Sequence, residues 1–442
     1  MTGAMYAAVS GLRAHMSALN VIGQNISNVN TNAYKATRYT FLEALYTTVR
    51  GGSNGSAQLG GKNPAQMGYG TSIGTIDLDM STKNYMPTGR ATDVMIDGDG
   101  FLIVGNKGQT FTSTQDLKNM YLTRHGDLAF DNQGYLTDGM GNVVYGFMSV
   151  ENPIYAAQFV DEKGNPVTPP PLTNEALTKD NVGTFYLNKD GELVQIVNKG
   201  TEDNPVLETK VIDQYTPHPV LTAIRLPMAG TGAMTQKQTI KVPAPNKSGD
   251  TIDKEVLVEK YSKGQPIYAH YDAASGTIVD ATEDADVSGR IEPDSVSIDE
   301  NTGRITCTAG GKAVVIGTIA IAKVQNPNGV THVNGRYYQA LEGAGEVSLN
   351  AVGGSVLNTD DPDSPFYEAP AQGADPNPKV AGEIPVGTPG STKFISGGLE
   401  SSGTDLANEI SNMITIQRGY QANTRIVTVT DSMLEELVNM KR

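Results

Sequence analysis

Gly70-Thr71-Ser72-Ile73-Gly74 matches the G-x-S-x-G pattern of a nucleophile elbow, in which a serine stands on a strained turn between a strand and a helix. The flanks point elsewhere. A Gly-rich stretch precedes the motif and an alternating strand pattern follows it, so Ser72 is expected at a glycine-lined strand start. Asp97-Gly98-Asp99-Gly100 resembles the opening of a calcium loop, but the twelfth position is Gly108, where a bidentate Glu is required, and a tight turn remains. Cys307, the single cysteine, lies in the alternating run Arg304-Ile-Thr-Cys-Thr308 and reads as a small buried or edge residue. One cysteine excludes a disulfide framework, a Cys-rich zinc site and an iron–sulfur cluster. His15, His125, His218, His270 and His332 lack metal-ligand spacing, and neither a P-loop nor a dinucleotide turn occurs. No catalytic, cofactor-binding or metal residue is assigned, and the expectation is that the chain is not an enzyme.

The elements that would carry these residues are unevenly distributed. The chain has 442 residues, a formal charge of −15, and 23 prolines that all lie between Pro64 and Pro389. Proline costs about 3 kcal/mol in a helix interior, so the proline-free ends predict terminal helices. Residues 1–50 carry a net +3 and residues 403–442 a net −1, which places the acidic excess in the Pro- and Gly-rich middle. An acidic chain without basic patches argues against nucleic acid, and no apolar run reaches the ~20 residues of a membrane-spanning helix. The first thirty residues alternate apolar and polar, so no cleaved signal peptide is expected.

Both ends carry heptad spacing. Met5, Val9, Leu12, Met16, Leu19 and Ile26 follow a 4-3 register with Gly23 at the missing position. The Asn-rich segment Gln24–Asn32 should end that helix, because Asn competes for the backbone and favours turns. At the other end the register runs through Leu406, Ile410, Met413, Gln417, Tyr420, Thr424, Val427, Asp431, Leu434 and Val438, of which the seven apolar members form the expected seam. Thr404 and Asp405 can cap its start, and Lys441 and Arg442 complement its dipole. Two arrangements are open: pairing of the two ends within one chain, and that pairing plus lateral packing against neighbouring copies.

Between the ends the signals are β. Ile76, Leu78 and Met80 alternate with polar residues, Phe101–Val104 is a buried run after the Asp97–Gly100 turn, and Asp131–Gly134 reads as a hairpin turn. Gly51–Gly61 reads as a flexible joint and Thr359–Pro389 as a Pro- and acid-rich loop. The expected fold class is a multidomain α+β chain with a discontinuous helical coiled-coil domain and mainly-β inner and outer domains. The expected division is residues 1–45 and 403–442 (paired helices), 46–150 and 291–402 (inner β), and 151–290 (outer β).

Val9-Ser-Gly-Leu12 and Val21-Ile-Gly-Gln-Asn-Ile-Ser-Asn-Val-Asn-Thr-Asn-Ala-Tyr-Lys35 resemble the N-terminal signature of bacterial flagellar rod, hook and hook-associated axial proteins. Ile416-Gln-Arg-Gly-Tyr-Gln-Ala-Asn-Thr-Arg425 and Met433–Arg442 resemble the matching C-terminal signature, and Gly89–Val94, Gly98–Leu102 and Ile319–Tyr338 are also similar to family segments. The resemblance covers roughly residues 1–150 and 290–442. It implies a helical tube of many copies with paired terminal helices on the inner wall and β domains outward. The length favours a hook-type subunit, which bends while passing motor torque to the filament, over a shorter, straight distal-rod type. Implied partners are further copies, rod and hook-associated axial proteins, a hook cap and the flagellar type III export machinery. The implied location is extracellular, in the hook of the flagellum.

Overall fold

The structure is a computed structural model that describes residues 2–55, 60–107, 109, 111, 114–131, 134–161, 163, 165, 167, 181–188, 191–200, 205–226, 235–243, 251–259, 261–262, 265–266, 269–272, 277–280, 296–309, 312–352, 379–380, 384–385 and 392–440. It divides into two compact units: Met1–Met86 with Leu399–Arg442, and Pro87–Gly398. The loop expected over 359–389 lies outside the described residues apart from two short strands at Lys379–Val380 and Ile384–Pro385. Lys441 and Arg442 lie outside them as well.

The first unit is built on two helices. Helix α1 spans Thr2–Ser27, and the Asn28 side chain donates to the Gln24 carbonyl at its end, as the Asn-rich segment predicts. Strand β1 (Thr37–Glu43) returns antiparallel to β4 (Thr71–Leu78), with a register shift between Tyr39 and Phe41. Ile73 packs against the helices, whereas Ile76, expected on the buried face, is exposed. Both ends of the ribbon meet α1, Thr37 at Asn25 and Thr71 at Ser10, and strand alternation puts Ile76 on the opposite face from Ile73.

Strands β2 (Tyr46–Arg50) and β3 (Ala65–Gly68) pair with each other, and a Ser53–Lys62 bridge closes the ribbon. Gly51–Gly61 is therefore the tip of a hairpin and not a joint between domains: both of its flanks return to the same ribbon. Residues 56–59 of that tip lie outside the described residues. Helix α2 spans Leu406–Met440, and the Asp405 carboxylate accepts from the Ala407 and Asn408 N–H groups at 3.1 and 3.2 Å.

The helical unit thus extends to residue 86, beyond the expected boundary at 45, because β1 and β4 pack on α1. The second unit is a curled, mainly antiparallel sheet. Its order runs through Val296–Ile298, Arg304–Ala309, Lys312–Val324, Val143–Glu151, Phe101–Gly105, Tyr121–Thr123, Tyr337–Gln339 and Thr331–Val333. Tyr215–Ala223 also joins it through Val143–Glu151, so part of the segment expected as an outer domain belongs to this sheet. The remainder includes a three-stranded sheet (Phe185–Leu187, Leu193–Asn198, Leu207–Val211) and a ribbon, Thr235–Pro243 with Thr251–Glu259.

Phe101–Gly105 is buried throughout, and the preceding turn has left-handed glycines at Gly98 and Gly100, as the Asp-Gly-Asp-Gly pattern predicts. Asn132 and Gln133 of the expected hairpin turn lie outside the described residues. Cys307 is in the sheet core with Ile305, Ile316 and Phe394, and burial pushes its thiol up. Alkylation of Cys307 by a neutral maleimide is expected to be at least roughly tenfold slower in the native chain than in urea; mass spectrometry of quenched samples checks this.

Candidate functional site

The helix pair is the feature that ties the two ends of the chain together. A Cβ on Gly11 would stand 2.6 Å from Asn423 Nδ2, and one on Gly419 would stand 2.8 Å from the His15 ring. Farther along, the Asn25 amide donates to Glu409 Oε1 at 2.8 Å. The pairing is therefore antiparallel. The buried residues of α1 are Ala8, Gly11, Ala14, Ala18, Val21, Ile22 and Asn25; those that meet α2, Gly11, His15, Ala18, Ile22 and Asn25, keep heptad spacing shifted by one residue from the expected seam. One residue is about 100° of helix rotation. Small residues let two helix axes approach closely, and that contact decides the phase.

The expected seam residues border this contact or stand clear of it. Leu19, Ile26 and Met413 pack against the cluster of Ala18, Ile22 and Ile416. Val9, Leu12, Val427 and Leu434 are half-buried, while Met5, Met16, Leu406, Ile410, Tyr420 and Val438 are exposed, Met16 at 51% and Val438 at 67%. Within one chain, the two ends pair through the neighbouring stripe, and much of the heptad seam faces outward.

Below the helix pair is a buried polar junction that sequence reasoning missed. Asn25 is 1% exposed; its amide also donates to the Thr37 carbonyl at 2.8 Å, and its Oδ1 accepts from Thr37 N, Thr37 Oγ1 and the Tyr34 hydroxyl. The Thr404 hydroxyl donates to the Asn25 carbonyl at 3.0 Å, so Thr404 serves this junction while Asp405 caps α2. Lys35 Nζ lies 2.8 Å from Glu400 Oε1 with the two side chains 0% and 1% exposed, and it also donates to the Ser81 carbonyl at 2.8 Å. Glu400 Oε1 accepts the Lys83 N–H as well. The backbone joins in: Ala33 N–H donates to the Glu400 carbonyl and Gly403 N–H to that of Tyr34. Ala33 makes the first of these at φ +54°, in the left-handed region. Nothing in local periodicity marks Asn25, Lys35 or Glu400; the one available signal is that Asn25 and Lys35 fall inside the N-terminal signature.

His15 lies on α1 with Phe41 edge-on at 5.4 Å, and its buried Nδ1 has no hydrogen-bond partner among the described residues. Burial lowers its pKa from the ordinary 6.5. The folded pair then binds fewer protons than the unfolded chain, so stability is complete above pH 6.5 and declines as pH falls below it. The protection of α1 amides, taken as intrinsic over observed exchange rate, is expected to fall between pH 7.5 and pH 5.5, a roughly two-unit window around an ordinary imidazole, and His15→Gln should flatten that dependence.

Ser72 is the second residue of β4, opposite Leu42, at the glycine-lined strand start that its flanks predict, so no strand-to-helix elbow exists there. Gly70 instead takes φ +116° where the strand meets α1. His125 bonds Asp127 at 2.7 Å, and Arg336 also pairs with Asp127 at 3.0 Å, an arrangement that pins two loops of the sheet unit. His332 stacks edge-on against Tyr338, while the His218 and His270 side chains lie outside the described residues.

The two ends of the chain thus form one helix pair closed by a polar junction, and the β sheet is encoded between them. The profile described as flagella basal body rod protein matches residues 5–35, and that described as flagellar basal body rod FlgEFG protein C-terminal matches residues 395–440. Both ends of the chain are thus similar to flagellar rod and hook proteins. The flagellar hook protein FlgE of Borreliella burgdorferi is similar end to end, 25% identical over 493 residues with 100% of each chain covered. The flagellar basal-body rod protein FlgG of Bacillus subtilis is 39% identical, over 32% of this chain and 50% of that protein. A crystal structure of Helicobacter pylori flagellar hook protein FlgE2 overlaps 59% of this chain and 95% of that one at 13% identity, with a TM-score of 0.24.

Proposed function

We propose that the chain is the repeating structural subunit of a bacterial flagellar hook, a curved and flexible tube that passes motor torque to the filament. Coverage carries this reading: similarity to a hook protein runs the full length, whereas similarity to the rod protein spans 32% of the chain. In this assembly the paired ends form the axial core. The outward-facing Met5, Met16, Leu406, Ile410, Tyr420 and Val438 are apolar surface available to neighbouring copies. Val9, Leu12, Leu19, Ile26, Met413, Val427 and Leu434 border the intrachain contact and complete the seam. Rod and hook-associated axial proteins and the hook cap are the partners at the ends of the tube. Export by the flagellar type III machinery brings the subunit to the outside of the cell.

Electron microscopy of the purified chain under polymerising conditions tests this. Curved tubes are expected from the intact chain, and soluble monomers from variants lacking residues 1–40 or 403–442. Straight tubes would instead support a distal-rod subunit, and tubes from either truncation would refute a role for the helix pair in assembly.

A further inference from the structure

The helical unit carries a groove of about 450 Å³ between α1 and β4, lined among others by Tyr6, Val9, Arg13, Ser17, Thr71 and Ile73. Tyr6 is 70% exposed, and the exposed Arg13 has no acidic partner among the described residues. The groove thus mixes apolar surface (Tyr6, Val9, Ala14 and Ile73) with the hydroxyls of Ser10, Ser17, Thr71 and Ser72, and carries one uncompensated cation. The last turns of α2 have the complementary character. Met433, Leu437 and Met440 recur at spacings of four and three on one helix face, and all three are exposed. Glu436 falls within the same face, and between Ile426 and Met440 the only charged residues are Asp431, Glu435 and Glu436, with Lys441 and Arg442 following in sequence. None of these carboxylates forms an ion pair among the described residues.

We propose that the groove of one copy receives the C-terminal end of α2 from a second copy. The Met433, Leu437 and Met440 stripe lies on Tyr6, Val9 and Ile73, and the Glu436 carboxylate meets the Arg13 guanidinium. The inference rests on the reading of the chain as a polymerising subunit and adds which surfaces meet. Apolar burial supplies the affinity, and the single charge pair fixes the register, since sliding the helix by one turn takes Glu436 away from Arg13. In the same groove, Asp431 and Glu435 fall on other faces of the helix and remain at the rim.

Charge reversal tests the contact in the full chain. Arg13→Glu and Glu436→Arg are each expected to raise the critical concentration for polymerisation roughly fivefold, the size of a desolvated charge pair at a contact edge. The double variant, carrying both reversals, is expected to restore it, as read by sedimentation and electron microscopy. Far-UV circular dichroism of the monomers checks that each variant keeps its helices. Unchanged polymerisation by both single variants overturns the proposal, and means that the groove takes another partner or none. Weakening by both without recovery in the double variant overturns the pairing as well. If the unaltered chain forms no tubes, the reading as a hook subunit fails instead.

Discussion

Replacing Glu400 with Leu should cost the helical unit about 3–5 kcal/mol, the range for removing one member of a buried ion pair. The cost lies chiefly in what is left behind. Lys35 Nζ keeps the Ser81 carbonyl at 2.8 Å but loses the Glu400 carboxylate, while its side chain is 0% exposed. Lys83 N–H loses its acceptor at the same time. Deprotonating Lys35 would relieve the charge, but that too costs stability at neutral pH. The double variant Lys35→Met, Glu400→Leu removes both charges and keeps apolar volume, so it should recover most of the loss. Urea unfolding followed through the helical unit, with hydrogen exchange of α1 and α2 to localise it, gives both values. A single variant within about 1 kcal/mol of the parent would show that the pair is solvated, and a double variant as unstable as the single one would show that packing, not charge, is lost. Because Lys35 follows α1 and Glu400 precedes α2, the same variant should also loosen the pairing on which assembly depends.

That ion pair marks where sequence reasoning stopped. The terminal helices, the acid-rich β middle and the likeness to flagellar rod and hook proteins were legible because proline exclusion, heptad spacing and the two signatures each extend over many residues. The phase of the helix contact was not. The most apolar phase, Met5 through Ile26, competes with a neighbouring phase made of Ala8, Gly11, Ala18, Ile22 and Asn25. Hydrophobicity favours the first, whereas close approach of two backbones favours the second. A pattern of large apolar residues identifies a surface that wants covering, without saying which partner covers it. Lys35 was legible only as one charge in a basic segment; its burial depends on a carboxylate 365 residues away. Gly51–Gly61 shows the same limit from the other side: its composition signals freedom, but pairing of β2 with β3 turns a linker into a hairpin tip.

Gly70→Ala should destabilise the helical unit by about 2–5 kcal/mol, combining left-handed backbone strain with overpacking. Gly70 has φ +116°, a conformation that a side chain opposes wherever it occurs. The space is closed too, since an added Cβ would stand 1.8 Å from Ser10 Oγ and 3.1 Å from both the Cα and the carbonyl oxygen of Ala7. Ser10 cannot turn aside without loss: its hydroxyl donates to the Ala7 carbonyl at 2.8 Å and accepts from Thr71 N–H at 3.3 Å. Adding Ser10→Ala removes the worst contact while leaving the backbone strain and the Ala7 contacts. The two substitutions should therefore be non-additive, with the double variant about 1–2 kcal/mol more stable than the sum of the single losses implies. Thermal and urea unfolding of the four chains provides the cycle. Strict additivity would mean that backbone strain alone sets the cost. The coupling predicted here would assign Gly70, the first residue of a serine motif that suggested chemistry, to the fit of β4 against α1.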